Sequence, residues 1–160
     1  MSSEQNKQEI FDSIRKKWVR CTPEEIVRQQ LINHMVYELF YPKELIAIEK
    51  VLSSIPTVDP GNMQLPDRRV DLICFAKGIH PSYPLYPLLL VECKESILLK
   101  KEAHDQVIGY NYFIKAYFVA VAYPGGVEWG CYDRKKQEYL FFPSLPPYSR
   151  LIQAVTHARL

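Results

Sequence analysis

The feature that most constrains the fold is an uninterrupted apolar run at residues 88–91, which ends directly in the polar tripeptide Glu92-Cys93-Lys94. A strand that carries large aliphatic side chains on both faces has to be covered on both faces. The run therefore predicts an inner strand of a sheet with further layers of structure on its two sides. It also predicts that a carboxylate and an ammonium emerge where this buried strand ends.

The size of the chain suits one domain of this kind. Its 160 residues are 48% hydrophobic, 24% charged and 12% aromatic, which is enough for one buried core. The sequence contains no internal repeat and no long linker, so we expect one domain over 1–160, with a core at about 11–142 and a C-terminal extension at about 143–160. The formal net charge of +2 neither favours nor excludes a polyanionic partner.

Several functional classes are excluded by what the sequence lacks. No apolar run approaches the roughly 20 residues that span a bilayer, and the N-terminal residues lack the apolar stretch of a secretory signal, so we expect a cytoplasmic protein without a membrane partner. The four cysteines are scattered without a CxxC pair, which argues against a disulfide framework or a zinc site. No GxxxxGK[ST] or GxGxxG motif occurs, so neither a nucleotide-driven motor nor a dehydrogenase is indicated.

The clearest helix begins at the tetrapeptide 22–25, Thr-Pro-Glu-Glu. A hydroxyl at the N-cap, proline in the first helical position and carboxylates in the first turn are typical of a helix start. Apolar residues then recur at helical spacing from Val27 to Phe40, and Tyr41-Pro42 ends the pattern. The spacing predicts a helix packed against a large apolar surface.

The remaining patterns predict a sheet with a second helix between its strands. Residues 10–21 fit either a hairpin or a short helix. The order of helix, three strands, helix and strand predicts an α/β sandwich on a mixed sheet. Strands are expected at 45–52, 70–75, 87–94 and 117–122, a helix at 101–115, a strand pair at 127–132 and 139–142, and a short helix near Leu151.

Three charged residues near the ends of two predicted strands carry the chemistry. Glu92 and Lys94 project from the same face of a strand, while Cys93 points to the other. If the strand that carries Asp71 is a neighbour, Asp71 and Glu92 can place carboxylate oxygens around one hard cation such as Mg²⁺. Such an ion activates a water, and Lys94 can orient that water or stabilise negative charge on a phosphate. A surface ion pair is the alternative that the strand end alone favours.

At these residues the sequence resembles a known family. Asp71 followed by Glu92-Cys93-Lys94 is similar to the D…(D/E)xK core of the PD-(D/E)XK nuclease superfamily, and the chain more closely resembles the N-terminal domain of type I restriction enzyme R (HsdR) subunits over about 11–142. The resemblance implies a restriction-endonuclease-like sandwich with a central mixed β-sheet flanked by helices. It also implies cleavage of DNA phosphodiester bonds with Mg²⁺, for which Mn²⁺ can substitute. The similar blocks are 22–29, 69–72, 88–94 and 106–111.

The resemblance assigns roles to the residues of the core. Asp71 and Glu92 become metal ligands, Cys93 contributes its backbone carbonyl to the metal, and Lys94 becomes the catalytic lysine. A helix carboxylate of the family approaches the metal through water, and either Glu24 or Glu25 can take this place. A capping box would pair Glu25 with the helix start, so we expect Glu24 to be the carboxylate at the site.

The resemblance also implies contacts with DNA. Gln106 and Tyr110 match the QxxxY motif that accompanies the core in RecB-like nucleases, and their spacing puts them on one helix face. Arg28 can bind a phosphate bidentately, and a salt bridge to Glu24 is an equally weighted alternative. The basic run 15–17 is interpreted as a solvated turn more readily than as a phosphate contact, and Trp18 as a packing residue rather than a base-stacking platform.

The R subunits of the family are longer and carry a DNA-translocating ATPase that this sequence does not contain. We therefore expect DNA as a partner, together with a separate helicase or translocase, methyltransferase or specificity subunit. The sequence leaves the oligomeric state open. The alternative function is a non-catalytic nucleic-acid-binding or complex-assembly module with the same fold, and a second is a structural protein in which Asp71, Glu92 and Lys94 form only ion pairs.

Overall fold

A computed structural model describes residues 8–59, 61 and 64–157 of the chain. Eight strands and three α-helices follow one another in this part of the sequence. In chain order they are β1 (Glu9–Asp12), β2 (Lys17–Arg20), α1 (Pro23–Asn33), β3 (Ile46–Val51), β4 (Arg69–Lys77), β5 (Leu85–Cys93), α2 (Lys100–Ile114), β6 (Phe118–Tyr123), β7 (Gly126–Asp133), β8 (Glu138–Pro143) and α3 (Tyr148–His157).

Six strands form one mixed sheet in the order β3-β4-β5-β6-β7-β8. Strands β5 and β6 run parallel and are joined through α2, and the other neighbouring pairs are antiparallel. Strand β5 lies inside the sheet and is buried at every position after Leu85, so the inner strand predicted from its apolar run is confirmed. The α/β sandwich with a mixed sheet is confirmed as well.

The two faces of the sheet carry separate apolar cores, because successive side chains of β5 point to opposite sides. Leu89 and Val91 pack in the cluster that contains α1 and α3, and Leu90 packs in the cluster that contains α2. Full burial of a leucine such as Leu90 contributes about 1.5–3 kcal/mol. The helices on both faces therefore hold β5, and with it Glu92, in a fixed position.

Helix α1 begins as its sequence predicts and ends differently. The Thr22 hydroxyl accepts a hydrogen bond from the Glu25 amide at 3.1 Å, and Pro23 opens the helix. The regular α-helix stops at Asn33 and continues as a wider π-helical turn over His34–Glu38. Apolar spacing does not distinguish these two helix types, so the predicted helix up to residue 40 merges them.

The N-terminal segment forms a hairpin, which settles the alternative left open for residues 10–21. Strands β1 and β2 pair antiparallel, with Phe11 opposite Trp18. The carboxylate of Asp12 is fully buried and accepts hydrogen bonds from the amides of Ile14 and Arg15 in the turn. None of the helices in the described part of the chain is long and apolar enough to cross a membrane.

Candidate active site

The predicted charged residues meet where β5 leaves the sheet. The register that pairs Leu72 with Val91 brings Asp71 beside Glu92. Asp71 Oδ2 accepts a hydrogen bond from the Cys93 amide at 2.7 Å, and the Asp71 amide donates to Glu92 Oε1 at 3.4 Å. The two strands are thus neighbours, as the site requires, and they hold two carboxylates against each other.

Glu92 is 4% exposed and has a carboxylate for its neighbour. Burial, and after it the charge of Asp71, raise the pKa of Glu92 well above its ordinary value, while Lys94 lowers it in part. Two neighbouring carboxylates, of which Glu92 is buried and Asp71 is partly buried, disfavour each other's ionised form unless a positive charge compensates them. The pair is therefore suited to a cation.

Lys94 follows directly on the buried strand and lies at the rim of this cluster. Its amide donates to the Ala122 carbonyl at 2.8 Å, which ties the backbone to β6. Its side chain is 17% exposed, and Nζ lies 3.9 Å from Glu102 Oε1. The lysine is therefore held at its backbone, while its ammonium remains accessible to a substrate.

Arg28 reaches the same cluster from α1. Its guanidinium Nη2 lies 3.3 Å from Asp71 Oδ1 and 3.7 Å from Glu24 Oε1, and the residue is only 3% exposed. The structure therefore favours the ion-pair alternative for Arg28 over a solvent-facing phosphate contact. The physical reason is that the nearby carboxylates, two of them on the same helix, draw the guanidinium inward.

Glu24 and Glu25, which the sequence left as alternatives, have different surroundings. Glu25 is buried, and its carboxylate binds Arg15 at 2.6 Å, Arg28 at 2.9 Å and Gln29 at 3.0 Å. Only one hydrogen bond of the expected capping box forms: the Glu25 amide donates to the Thr22 hydroxyl. The Glu25 side chain pairs with arginines instead of the Thr22 amide. Glu24 faces the cluster, and burial followed by the charge of Asp71 raises the pKa of its carboxyl.

The donor set fits a magnesium ion with few protein ligands. Within residues 8–59, 61 and 64–157, no three His, Cys, Asp or Glu side chains converge closely enough to hold a metal by themselves. Mg²⁺ prefers oxygen ligands and usually keeps several waters beside one or two carboxylates. Asp71 and Glu92 offer such oxygens. Glu24 is paired with Arg28, which also contacts Asp71, so Glu24 is less suited to bind the metal directly.

The other predicted pair, Gln106 and Tyr110, lies in one groove of α2. The groove has a volume of about 400 Å³ and is also lined by Arg68 and Phe113. Burial raises the pKa of the Tyr110 hydroxyl, and a hydrogen bond with Arg68 lowers it in part. The negative charge of Glu92 raises this pKa as well. Gln106 Oε1 is buried and has no hydrogen-bond partner among the residues that the structure describes.

Sequence reasoning missed the residues that join the hairpin to the site. Arg15 extends from the hairpin turn, where it pairs with Asp12, and its guanidinium also lies 2.6 Å from Glu25 Oε1 and 3.3 Å from Glu49 Oε2. The interpretation of the basic run 15–17 as a solvated turn is therefore wrong for Arg15, which forms ion pairs inside the protein. The aspartate three positions before Arg15 was the available signal.

The match to a known family spans these elements. A sequence model of the family described as Type I restriction enzyme R protein N terminus (HSDR_N) matches residues 23–146, from the start of α1 to beyond β8. All the predicted site residues fall inside the matched range. A comparison with curated proteins gives no match.

Proposed function

This chain belongs to the family of type I restriction enzyme R protein N-terminal domains, and from that we propose that it is a Mg²⁺-dependent DNA endonuclease domain that hydrolyses phosphodiester bonds. The observation that carries the proposal is the meeting of the Asp71 and Glu92 carboxylates at the end of β5, with Lys94 directly after them. Membership of a restriction-enzyme family supports a nuclease-related role and an interaction with DNA.

Asp71 and Glu92 would hold the metal, with the Cys93 carbonyl as a further ligand and with Mn²⁺ as a substitute. When bound, a divalent ion supplies positive charge to the phosphate and lowers the pKa of a water. Burial raises the pKa of Glu92, so its ionised form is favoured only when a cation lies nearby. Glu24 faces the same place and suits a contact through water.

Lys94 stabilises the negative charge that develops on the phosphate oxygens. Its backbone is fixed by the hydrogen bond to Ala122, and its ammonium lies at the rim of the cluster, where a phosphate can reach it. A preorganised charge that strengthens its interaction in the transition state is worth about 10²–10³ in rate. Lys94 is therefore the residue whose loss removes catalysis while leaving the carboxylates in place.

Gln106 and Tyr110 contact the DNA backbone beside this centre. Both line the groove of α2, together with the cationic Arg68. The Gln106 amide nitrogen, the Tyr110 hydroxyl and the Arg68 guanidinium are hydrogen-bond donors, which suit phosphate oxygens. The family implies a multi-subunit complex, and we propose a separate helicase or translocase, methyltransferase or specificity subunit as the partner that brings the nuclease to its DNA.

The experiment is cleavage of supercoiled and linear DNA by the purified chain with Mg²⁺, Mn²⁺ or EDTA. We expect nicking and linearisation that require the metal and are lost in Lys94→Ala and Asp71→Ala. Lys101→Ala, an exposed lysine at the start of α2, is the matched control and keeps the activity. Cleavage that persists unchanged in both site variants would contradict the proposal.

One observation favours a second function, that of a non-catalytic DNA-binding module. Arg28 already neutralises Asp71 at 3.3 Å, and no third carboxylate converges with Asp71 and Glu92 in the described residues. A module of this kind binds DNA with a steep dependence on salt and without a need for metal. DNA binding that survives Lys94→Ala and EDTA, with no cleavage by the wild type, would support it.

A further inference from the structure

The hairpin of β1 and β2 exposes two large aromatic rings. Trp18 is 64% exposed and Phe11 is 47% exposed. They lie opposite each other across the two strands, with ring centroids 5.5 Å apart in an edge-to-face arrangement. Neither ring belongs to the two buried clusters of the described residues. Trp18 is therefore a surface residue, and its interpretation as a packing residue holds only for its contact with Phe11.

The charges around these rings are mostly positive. Lys16, Lys17 and Arg20 are exposed on the same hairpin. Glu9 is the exposed acid and lies opposite Arg20. The remaining acid, Asp12, is fully buried and paired with Arg15, so it does not offset the exposed basic side chains. Along β2, Arg20 shares the face of Trp18 and Lys17 points to the other face. Cations therefore lie on both faces of the strand that carries Trp18, which suits a polyanion with flat rings.

The hairpin is fixed beside the candidate active site. An isolated two-stranded hairpin is marginally stable in water, but here Arg15 ties the turn to Glu25 of α1 and Glu49 of β3. A charged cleft of about 350 Å³ extends from Val19 and Arg20 on the hairpin to Glu24 and Arg28 in the site. Trp18 is the strand neighbour of Val19 and points to the other face of the hairpin. A strand that leaves the cleft at Val19 and Arg20 therefore reaches the aromatic pair by passing around this edge of the hairpin.

We propose that this hairpin binds an unpaired segment of the DNA strand that enters the site. A base stacks on Trp18, and phosphates contact Lys16, Lys17 and Arg20. Bases stack on exposed aromatic rings without sequence preference, and cations beside them follow the backbone. The proposal rests on the proposed nuclease function, since it names the form of DNA that this site receives.

The test uses Trp18 as its own reporter. The chain has two tryptophans, and Trp129→Phe removes the other while keeping a ring against Phe118 and Phe142. Titration of this variant with a single-stranded oligothymidylate in EDTA should quench the Trp18 fluorescence to saturation. Saturable binding of the labelled oligonucleotide by anisotropy without any change in Trp18 fluorescence would overturn the proposal.

Substitutions separate stacking from charge. We expect Trp18→Ala to weaken binding of the labelled oligonucleotide by roughly 5- to 100-fold, with partial rescue by Trp18→Phe, which keeps a ring. The double variant Lys16→Ala/Lys17→Ala should lower the salt slope by roughly 1.4, as expected for two lost phosphate contacts on a single strand. The matched controls are Tyr132→Ala, an exposed ring on β7, and Lys135→Ala/Lys136→Ala, and these should bind as the wild type does.

The outcomes distinguish this proposal from the nuclease function. Binding that depends on Trp18, without cleavage in Mg²⁺, supports the hairpin and rejects the endonuclease. Metal-dependent cleavage with equal binding by Trp18→Ala rejects the hairpin and keeps the endonuclease. Failure of the wild type to bind single strands at low salt would overturn the proposal and direct the search for a partner of this surface to proteins.

Discussion

Arg28 links the chemistry of the site to the stability of the fold. Its guanidinium lies 2.9 Å from Glu25 and 3.3 Å from Asp71, and it is also within 3.4 Å of Glu49 on β3. Removal of one partner from a buried ion pair leaves the other charges without compensation. Arg28 is therefore a positioning residue whose loss affects the whole molecule.

We predict that Arg28→Met lowers the free energy of unfolding by about 3–5 kcal/mol, because several carboxylates then remain buried or half-buried without a counter-charge. Urea unfolding followed by circular dichroism measures the change. Arg134→Met, an exposed arginine in the β7–β8 turn, is the control and should stay within about 0.5 kcal/mol of the wild type. Equal stability of the two variants would contradict this role for Arg28.

A second prediction concerns Glu92 in the metal-free protein. Burial and the charge of Asp71 raise its pKa, so the native state keeps a proton that the unfolded chain releases above about pH 4.3. The native state binds more protons, and this group makes the free energy of unfolding fall as the pH rises, by at most about 1.4 kcal/mol per pH unit.

Glu92→Gln keeps the shape and removes this titration. We expect the variant to show a flatter stability profile than the wild type between pH 5 and pH 8 in EDTA, measured by urea unfolding. Glu138→Gln, on the exposed position of β8, should follow the wild-type profile. A Glu92→Gln profile that runs parallel to the wild type would show that Glu92 does not titrate as described.

Among the secondary-structure elements, β7 and α2 each contain a glycine, and the two glycines differ in the space available for a side chain. A Cβ at Gly130 would lie 2.5 Å from the Leu140 carbonyl oxygen, which belongs to the backbone of the neighbouring strand, whereas a Cβ at Gly109 would meet no heavy atom within 4 Å. Gly130→Ala should cost about 1–3 kcal/mol through overpacking. Gly109→Ala should stabilise α2 by about 0.5–1 kcal/mol, because alanine loses less backbone entropy in a helix.

Thermal and urea unfolding of the two variants measure this pair of effects. The same substitution is made in both, so each variant is the control for the other. A Gly130→Ala protein as stable as the wild type would contradict the close approach of β7 and β8.

The elements were predicted well where a repeating pattern determines them. The apolar run before Glu92 identified the inner strand, and the Thr22-Pro23 start identified α1. The boundaries moved where main-chain pairing continues beyond the pattern. Strand β4 extends to Lys77, and β5 starts at Leu85, because the two strands pair across Lys77 and Leu85 outside the apolar stretch.

Only the part of the site that lies on neighbouring strands was predicted from the sequence. The Asp71–Glu92 contact follows from two adjacent strands, which sequence spacing and the family resemblance suggest together. The ion pairs of Arg15 and Arg28 with Glu49 could not be predicted in this way, because these residues lie far apart in the sequence. Charged side chains carry no periodicity that reveals such partners. Arg28 was therefore left between a phosphate contact and an ion pair until its burial was known.

At the scale of the molecule, the site is assembled from segments that only the complete fold brings together. The cluster draws Arg28 from α1, Asp71 from β4 and Glu92 from β5, while the hairpin is tied to it through Arg15. Helices on both faces fix the sheet, and Arg28, which lines the charged cleft, lies 3.3 Å from Asp71. Cation binding, DNA contact and stability should therefore respond together to changes in this region.

Mn²⁺ binding, followed by electron paramagnetic resonance at pH 7.5, measures directly whether Asp71 and Glu92 hold a metal ion. We predict one tightly bound ion per chain in the wild type, strongly weakened binding in Asp71→Asn and Glu92→Gln, and retained binding in Lys94→Met, which should nevertheless lose DNA cleavage. This pattern would assign the metal to the carboxylates and the catalytic step to the lysine. Mn²⁺ binding that is absent in the wild type, or unchanged in Asp71→Asn and Glu92→Gln, would contradict a metal site at these two carboxylates.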